Sequence, residues 1–421
     1  MRLLVMAMLA KTLHETAIGL DLVEQLRGAG VSAHFVVDVY SERQLAATDH
    51  PYTVVESSMG EGVRKVVGEA VREFRPDAIV LSDYVAHWMM CSVNYGIDPW
   101  FIDEFALPVV PIDTVSLADT DLMVEISGRR MRVSDRILTA PAHLLPVPGN
   151  RPRTGAGGRG LPYRADRAVR PLPSRARREI RRSLGVGDGE RLLMVPLLPW
   201  QRTMQDLAGP TVRELARRVP ELVGHYLRRL PDGTRFVVAG PYLDGLGLPP
   251  DRTRVETSYS TRRYTDLLAA SDAVLALFLP SFALERAILA DVPGLFTVNT
   301  FEIGGEPGVR RAAEALGGLS PAVRSWLERF PGTVPPFHMW PLQWNGVVGR
   351  LLEDNPFTTT ALRAELFDEE SVVGGLESVL YDPAVRDRLA AARAAYRDAL
   401  DRLPDTAEVF ATAARRAGAA V

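Results

Sequence analysis

The feature that most constrains this chain is a repeated alternation between short unbroken apolar runs and segments whose apolar residues fall at helical spacing. Residues 2–9 form such a run, and 16–27 then set Ile18, Leu22, Val23 and Leu26 on one helical face before Gly28 and Gly30 stop it. The same reading predicts a strand over 32–39, a helix over 60–74 and a buried strand over 77–82 behind Pro76. It adds a strand over 108–113 and a hairpin or pair of edge strands over 122–137. Runs that are apolar throughout suit strands covered on both faces, so the pattern predicts a parallel sheet. It breaks over 147–174, where proline, glycine and arginine dominate, and then resumes. Strands are predicted over 192–195, 235–239, 273–278 and 295–298, with helices over 212–230, 264–270 and 282–289; 376–420 read as two Ala/Arg-rich helices parted near Pro404.

At 421 residues the chain exceeds what one core usually serves. The expected fold is α/β, with two tandem Rossmann-like parallel-sheet domains facing a cleft. They span 1–146 and 176–375, joined by a linker or mobile loop over 147–175, and helices over 376–421 pack back across the domains. Ligands of open parallel sheets sit outside the carboxyl ends of the strands, so the loops after each strand are where chemistry is expected.

Composition narrows the partners. Basic and acidic residues number 49 and 52, a net charge of −3, which gives no field to draw in nucleic acid or an anionic membrane. A small-molecule partner is expected, and the chain is expected as a monomer or homodimer. The single cysteine, Cys91, forms no internal disulfide, which fits a reducing cytoplasm. The apolar N-terminus is too short to span a bilayer and reads as a buried strand. Lysine occurs only at Lys11 and Lys65, a hint of a high-GC bacterial source. The seven histidines show no metal-ligand spacing, so no metal site is expected, and Asp119-Thr120-Asp121 is read as a turn.

The loop from Met8 to Glu15 holds no glycine, which disfavours a dinucleotide cofactor and leaves Asp38 an ordinary strand-end acid. The loop does hold His14, directly before a helix. An imidazole there can take a proton near neutral pH; the alternative is a histidine bonded locally. In the second half, the segment from Tyr264 to Pro293 encodes a helix, a buried strand, a turn at Pro280-Ser281 and a second helix. That helix start offers free N–H groups and a positive dipole end, as a diphosphate requires. Ser281 caps it, and Glu285 stands one turn on, placed for ribose hydroxyls; the alternative is a plain cap with a solvated glutamate.

The segment resembles the C-terminal-domain signature of GT-B glycosyltransferases and the similar sugar-nucleotide 2-epimerases, with its "LL..AD.v" helix and strand before an "S…E……P" turn and helix. The resemblance implies that Ser281, with the Phe282 and Ala283 backbone, contacts a donor diphosphate and that Glu285 contacts the ribose. His14 falls where the family places a base. The chain departs from the family in lacking glycine before His14, in carrying Asp291 where glycine is common, and in having Leu277 where retaining members often carry glutamate. An inverting mechanism is therefore expected.

Strand ends add further donor-site candidates: Trp200, Gln201 and Arg202 after the first strand of the second domain, Tyr242 after the next, and Arg262 beyond 255–258. Acceptor candidates are Tyr84, His87, Trp88 and Trp100, with Asp103 and Glu104 as partners for His14. The aromatic run from Phe337 to Trp344 reads as core before sugar platform. The expected function is transfer of a sugar from a nucleoside-diphosphate donor, a co-substrate, to a small acceptor in specialised metabolism, with no cofactor or metal. The alternatives are a sugar-nucleotide epimerase or hydrolase, or a non-catalytic partner protein.

Overall fold

The structure is a computed structural model and describes residues 1–117, 123–126, 129–152 and 158–420. Asp119–Asp121 lie outside the described residues. The chain divides into two compact units, one of residues 1–124, 132–168 and 398–421, the other of 125–131 and 169–397.

The first unit is built on β1 (Arg2–Ala7), β2 (Ser32–Asp38), β3 (Tyr52–Val55), β4 (Ala78–Leu81) and β5 (Val109–Pro111), in the order 3-2-1-4-5. All four pairings are parallel, with Val5 opposite Phe35 on one side and Val80 on the other. Leu3 to Ala7 are buried, as are all of β4, which is why these strands read as unbroken apolar runs. Each such side chain contributes roughly 2 kcal/mol by leaving water. The span expected as a hairpin or edge strands holds the pair β6 (Met123–Ile126) and β7 (Arg129–Arg132), of which 125–131 group with the second unit, but it ends in a helix, Asp135–Thr139.

Several first-unit elements escape the sequence pattern. Strand β3 is short and only its last residue is buried. The helix Tyr84–Tyr95 carries apolar residues around most of its circumference and so shows no stripe. Within the stretch expected as a linker, β9 (Gly160–Arg164) runs parallel to β8 (His143–Val147), its glycine and Pro162 hiding the strand period. An Ile112–Leu144 bridge carries the sheet from β5 to β8.

The second unit repeats the plan with β10 (Arg191–Pro196), β11 (Thr234–Ala239), β12 (Thr253–Glu256), β13 (Ala273–Ala276), β14 (Gly294–Val298) and a late edge strand, β17. Chain order reaches β17 (Leu362–Glu365) after the small antiparallel pair β15 (Ile303–Gly304) and β16 (Thr333–Val334). The six-stranded order is 12-11-10-13-14-17, again all parallel. Gly240, at φ +129°, ends β11 where any Cβ would stand 1.8 Å from the Leu197 carbonyl oxygen, so no other residue lets these two strand ends close.

The aromatic run joins the core of this unit. Phe337 and Trp340 have no exposed surface, and the Trp340 indole donates to the Leu215 carbonyl at 3.0 Å. The closing helices are Glu369–Tyr381, Pro383–Asp401 and Thr406–Arg416. The last belongs to the first unit, where the Thr406 hydroxyl donates to Gln25 at 2.6 Å. Among the described residues no helix is long and apolar enough to cross a membrane.

Candidate active site

In a doubly wound sheet, ligands bind where the strand order reverses, outside the carboxyl ends of the two strands flanking that point. In the first unit these are β1 and β4. After β1 the chain turns through Lys11, at a left-handed φ of +60°, the conformation a glycine would take at less cost, and enters the helix His14–Leu26. After β4 it enters the helix Tyr84–Tyr95 through Asp83. The reversal therefore brings His14 and Asp83 together: Nε2 of the one stands 4.0 Å from Oδ2 of the other, with the imidazole about a third exposed and the carboxylate nearly enclosed. Gly19 sets the approach, since a Cβ there would lie 2.6 Å from the Ser82 hydroxyl and 2.9 Å from Val5.

Asp83 is held on every side. Its Oδ1 accepts the Ala86 N–H at 2.9 Å, capping the helix, and its Oδ2 accepts the Thr114 hydroxyl at 3.1 Å. Burial raises its carboxyl to about 6, the Ala86 and Thr114 bonds pulling back and the Asp113 charge pushing further up. Glu15, almost wholly buried, accepts the Leu9 N–H at 2.5 Å and ties down the loop before His14. Burial raises its carboxyl well above the usual range, and the charges of Asp83 and Asp38 add to that.

The expected acidic partners of His14 lie elsewhere. Asp103 pairs with Arg136, which covers the Trp100 ring at 5.3 Å, and Glu104 pairs with Arg64. Both acids sit in the turn Pro99–Phe105, away from a strand end. Asp83 was visible in the sequence only as the end of a strand; its capping position and the topological reversal identify it.

Of the acceptor candidates, Tyr84 is buried and meets Trp100 edge to face at 6.0 Å. Trp88 is half-buried on the same helix. His87 is structural instead: its Nε2 bonds the Pro99 carbonyl at 2.7 Å and its Nδ1 faces the Cys91 thiol at 3.6 Å. Burial pushes His87 down to about 4, so it is neutral at physiological pH.

In the second unit the order reverses between β10 and β13. The helix Pro199–Leu207 follows β10 and brings Trp200 edge to face with Phe278, 6.2 Å apart, beyond β13. Gln201 is fully buried; its carbonyl accepts the Leu198 N–H at 2.8 Å, while its amide nitrogen finds no partner among the described residues. After β13, Ser281 is fully buried and its hydroxyl accepts the Leu284 N–H at 3.4 Å, capping the helix Phe282–Leu289. Phe282 and Glu285 are half-buried, Ala283 is buried, and the Arg286 guanidinium lies 4.2 Å from the Phe282 ring centre. The reversal thus gathers Trp200, Gln201, Ser281 and the first turn bearing Glu285.

Two expected donor contacts are engaged otherwise, and a third is exposed. Arg202 pairs with Asp244 at 3.1 Å, the Tyr242 hydroxyl accepts the Leu248 N–H at 2.8 Å, and Arg262 is exposed, its neighbour Arg263 being the one that bonds Glu256. Asp291 explains the missing glycine: it takes the left-handed φ of +59° at the helix end and also pairs with Arg393 and Arg397. One trio, Glu24, Asp49 and His50, has ligand atoms within 4.8 Å of one another, but Arg27 donates to both carboxylates at 2.7 and 3.3 Å and already offsets their charge.

Residues 22–418 match the family described as "Family of unknown function (DUF6365)". The chain belongs to that family. No curated protein matches the sequence. Among solved structures this DUF6365 member is similar to the spinosyn forosaminyltransferase SpnP, at 14% identity and TM-score 0.55, over 99% of both chains. It is also similar to HepE of Anabaena in complex with UDP-glucose, at 13% identity and TM-score 0.56, over 99% of this chain and 98% of that one. A third is the glycosyltransferase VinC in complex with DTDP, at 13% and 0.52, over 99% and 100%. Likeness at such identity is likeness of fold, and the fold is the GT-B type, with its two Rossmann-like parallel-sheet units.

Proposed function

We propose that this protein is a bacterial, cytoplasmic glycosyltransferase of specialised metabolism. It moves a sugar from a nucleoside-diphosphate donor to a small-molecule acceptor with inversion, needing neither metal nor a further cofactor. The observation that carries the reading is the His14–Asp83 pair at the reversal point of the first sheet, 4.0 Å apart. His14 takes the proton of an acceptor hydroxyl or amine, whose lone pair attacks the anomeric carbon as the bond to the diphosphate breaks. The diphosphate leaves with that electron pair, and Asp83 stabilises the imidazolium. Ser281 and the N–H groups that start the helix Phe282–Leu289 receive the diphosphate, and Glu285 receives the ribose. That HepE and VinC, of similar fold, are described with UDP-glucose and DTDP supports a nucleotide site.

The test is nucleoside-diphosphate release from UDP- and TDP-sugars across an acceptor panel, with and without a chelator. Wild type is expected to turn over in both conditions and His14→Ala to lose turnover; an active His14→Ala removes the base from the account. The engagement of Arg202 and Tyr242 within the protein favours a second reading, a non-catalytic relative. Nucleotide binding without turnover, together with capture of a stable partner, would decide for it.

A further inference from the structure

The helix Pro199–Leu207 follows β10, one of the two strands at the reversal, and its second residue, Trp200, meets Phe278 beyond the other. A helix leaves its first N–H groups without partners inside the helix. Here Pro199 has none to offer and the Gln201 N–H goes to the Leu198 carbonyl at 3.0 Å, which leaves that of Trp200.

The Gln201 side chain sets a second donor at the same place. It folds back to the helix start, where its oxygen accepts the Leu198 N–H at 2.8 Å. Only the oxygen of a carboxamide accepts, so this bond fixes the way the amide faces and leaves its NH2 over. Gln201 is 0% exposed, and that NH2 has no acceptor among the described residues. A buried donor without an acceptor costs stability, so its presence here points to an acceptor that comes from outside the chain. With two donors and the positive end of a helix dipole, the acceptor that fits is an oxyanion.

A donor nucleotide has two phosphates, and this sheet has two helix starts at its reversal. The helix Phe282–Leu289 carries both Ser281, as its cap, and Glu285, and so takes the phosphate next to the ribose. We propose that the Gln201 amide, across the reversal, donates to the outer, sugar-bearing phosphate. That phosphate takes the electron pair when the bond to the sugar breaks, so the contact falls on the leaving group. The inference rests on the reading of Ser281 and Glu285 as the nucleotide site.

Two variants test it. Gln201→Glu keeps an oxygen for the Leu198 N–H and turns the remaining donor into an oxygen; Gln201→Met keeps the volume and removes the amide. Titration calorimetry with UDP, TDP, UMP and TMP should find that wild type holds the diphosphates more tightly than the monophosphates. The variants should lose about tenfold in diphosphate affinity, the scale of one hydrogen bond to a charged group, and keep monophosphate affinity, which also reports that they are folded. If both variants keep diphosphate affinity, or lose both affinities alike, the proposal is overturned and the site at Ser281 and Glu285 stands. A wild type that binds monophosphate as tightly as diphosphate also overturns it, since the outer phosphate then has no contact. If wild type binds none of the four, the nucleotide reading has failed and the proposal falls with it.

Discussion

Asp83 serves both the fold and the proposed chemistry, and the two are separable by a single atom. Asn caps helices as well as Asp does, so Asp83→Asn should keep the helix Tyr84–Tyr95 and fold normally. It cannot carry the charge that stabilises a protonated imidazole, and turnover should fall by about 100-fold or more, with donor affinity unchanged. Because burial raises this carboxyl to about 6, wild-type turnover should climb as pH rises through 6 and Asp83 ionises. The same group works against the fold: the native state holds its proton more tightly than the unfolded chain, so its contribution to stability falls as pH rises from about 4 to 6. In Asp83→Asn the stability dependence should flatten, while turnover keeps the dependence imposed by His14 as the base; an unchanged stability profile in that variant would show that Asp83 does not titrate in this way. His14 draws notice in the sequence because it ends the loop after a strand and opens a helix. Its partner does not, since 69 residues separate them and only the strand order joins β1 to β4.

At the scale of elements, the apolar runs identified the central strands because parallel strands are covered on both faces. Edge strands escaped for the converse reason, β3 and β17 being only partly buried, and the helix Tyr84–Tyr95 because its apolar surface has no single face. Two element contacts carry predictions. Gly19→Val places a side chain where the Ser82 hydroxyl already is, so the helix His14–Leu26 must retreat. A stability loss of about 1–3 kcal/mol by denaturant unfolding is expected, with lower turnover as His14 leaves Asp83. Asp291→Gly keeps the left-handed turn but leaves Arg393, 3% exposed, without its carboxylate. It should cost about 2 kcal/mol, discounted for the part-exposed partner, whereas a cost near zero would show that the pairing contributes little.

For the whole molecule, the two units repeat one design: a parallel sheet whose order reverses once, with the proposed site residues on the loops at the reversal. The sequence shows the alternation that makes such sheets but not the order of their strands. His14, Trp200, Gln201, Ser281 and Glu285 were named in the sequence together with Arg202, Tyr242 and Asp103, and the sequence offers nothing to rank them. The interactions each side chain makes in the fold were beyond reach of the sequence, and Arg202–Asp244, Tyr242–Leu248 and Asp103–Arg136 are all long-range or loop-dependent. Everything proposed for the second unit depends on its holding a nucleoside diphosphate at Ser281 and Glu285. The most direct test is the melting temperature against a panel of nucleoside diphosphates, with Glu285→Ala as control. One of them at about a hundred times its dissociation constant should raise it by about 5–10 °C, and the rise should vanish in Glu285→Ala. No rise with any nucleoside diphosphate, or an equal rise in the variant, would mean that no such site exists at Ser281 and Glu285.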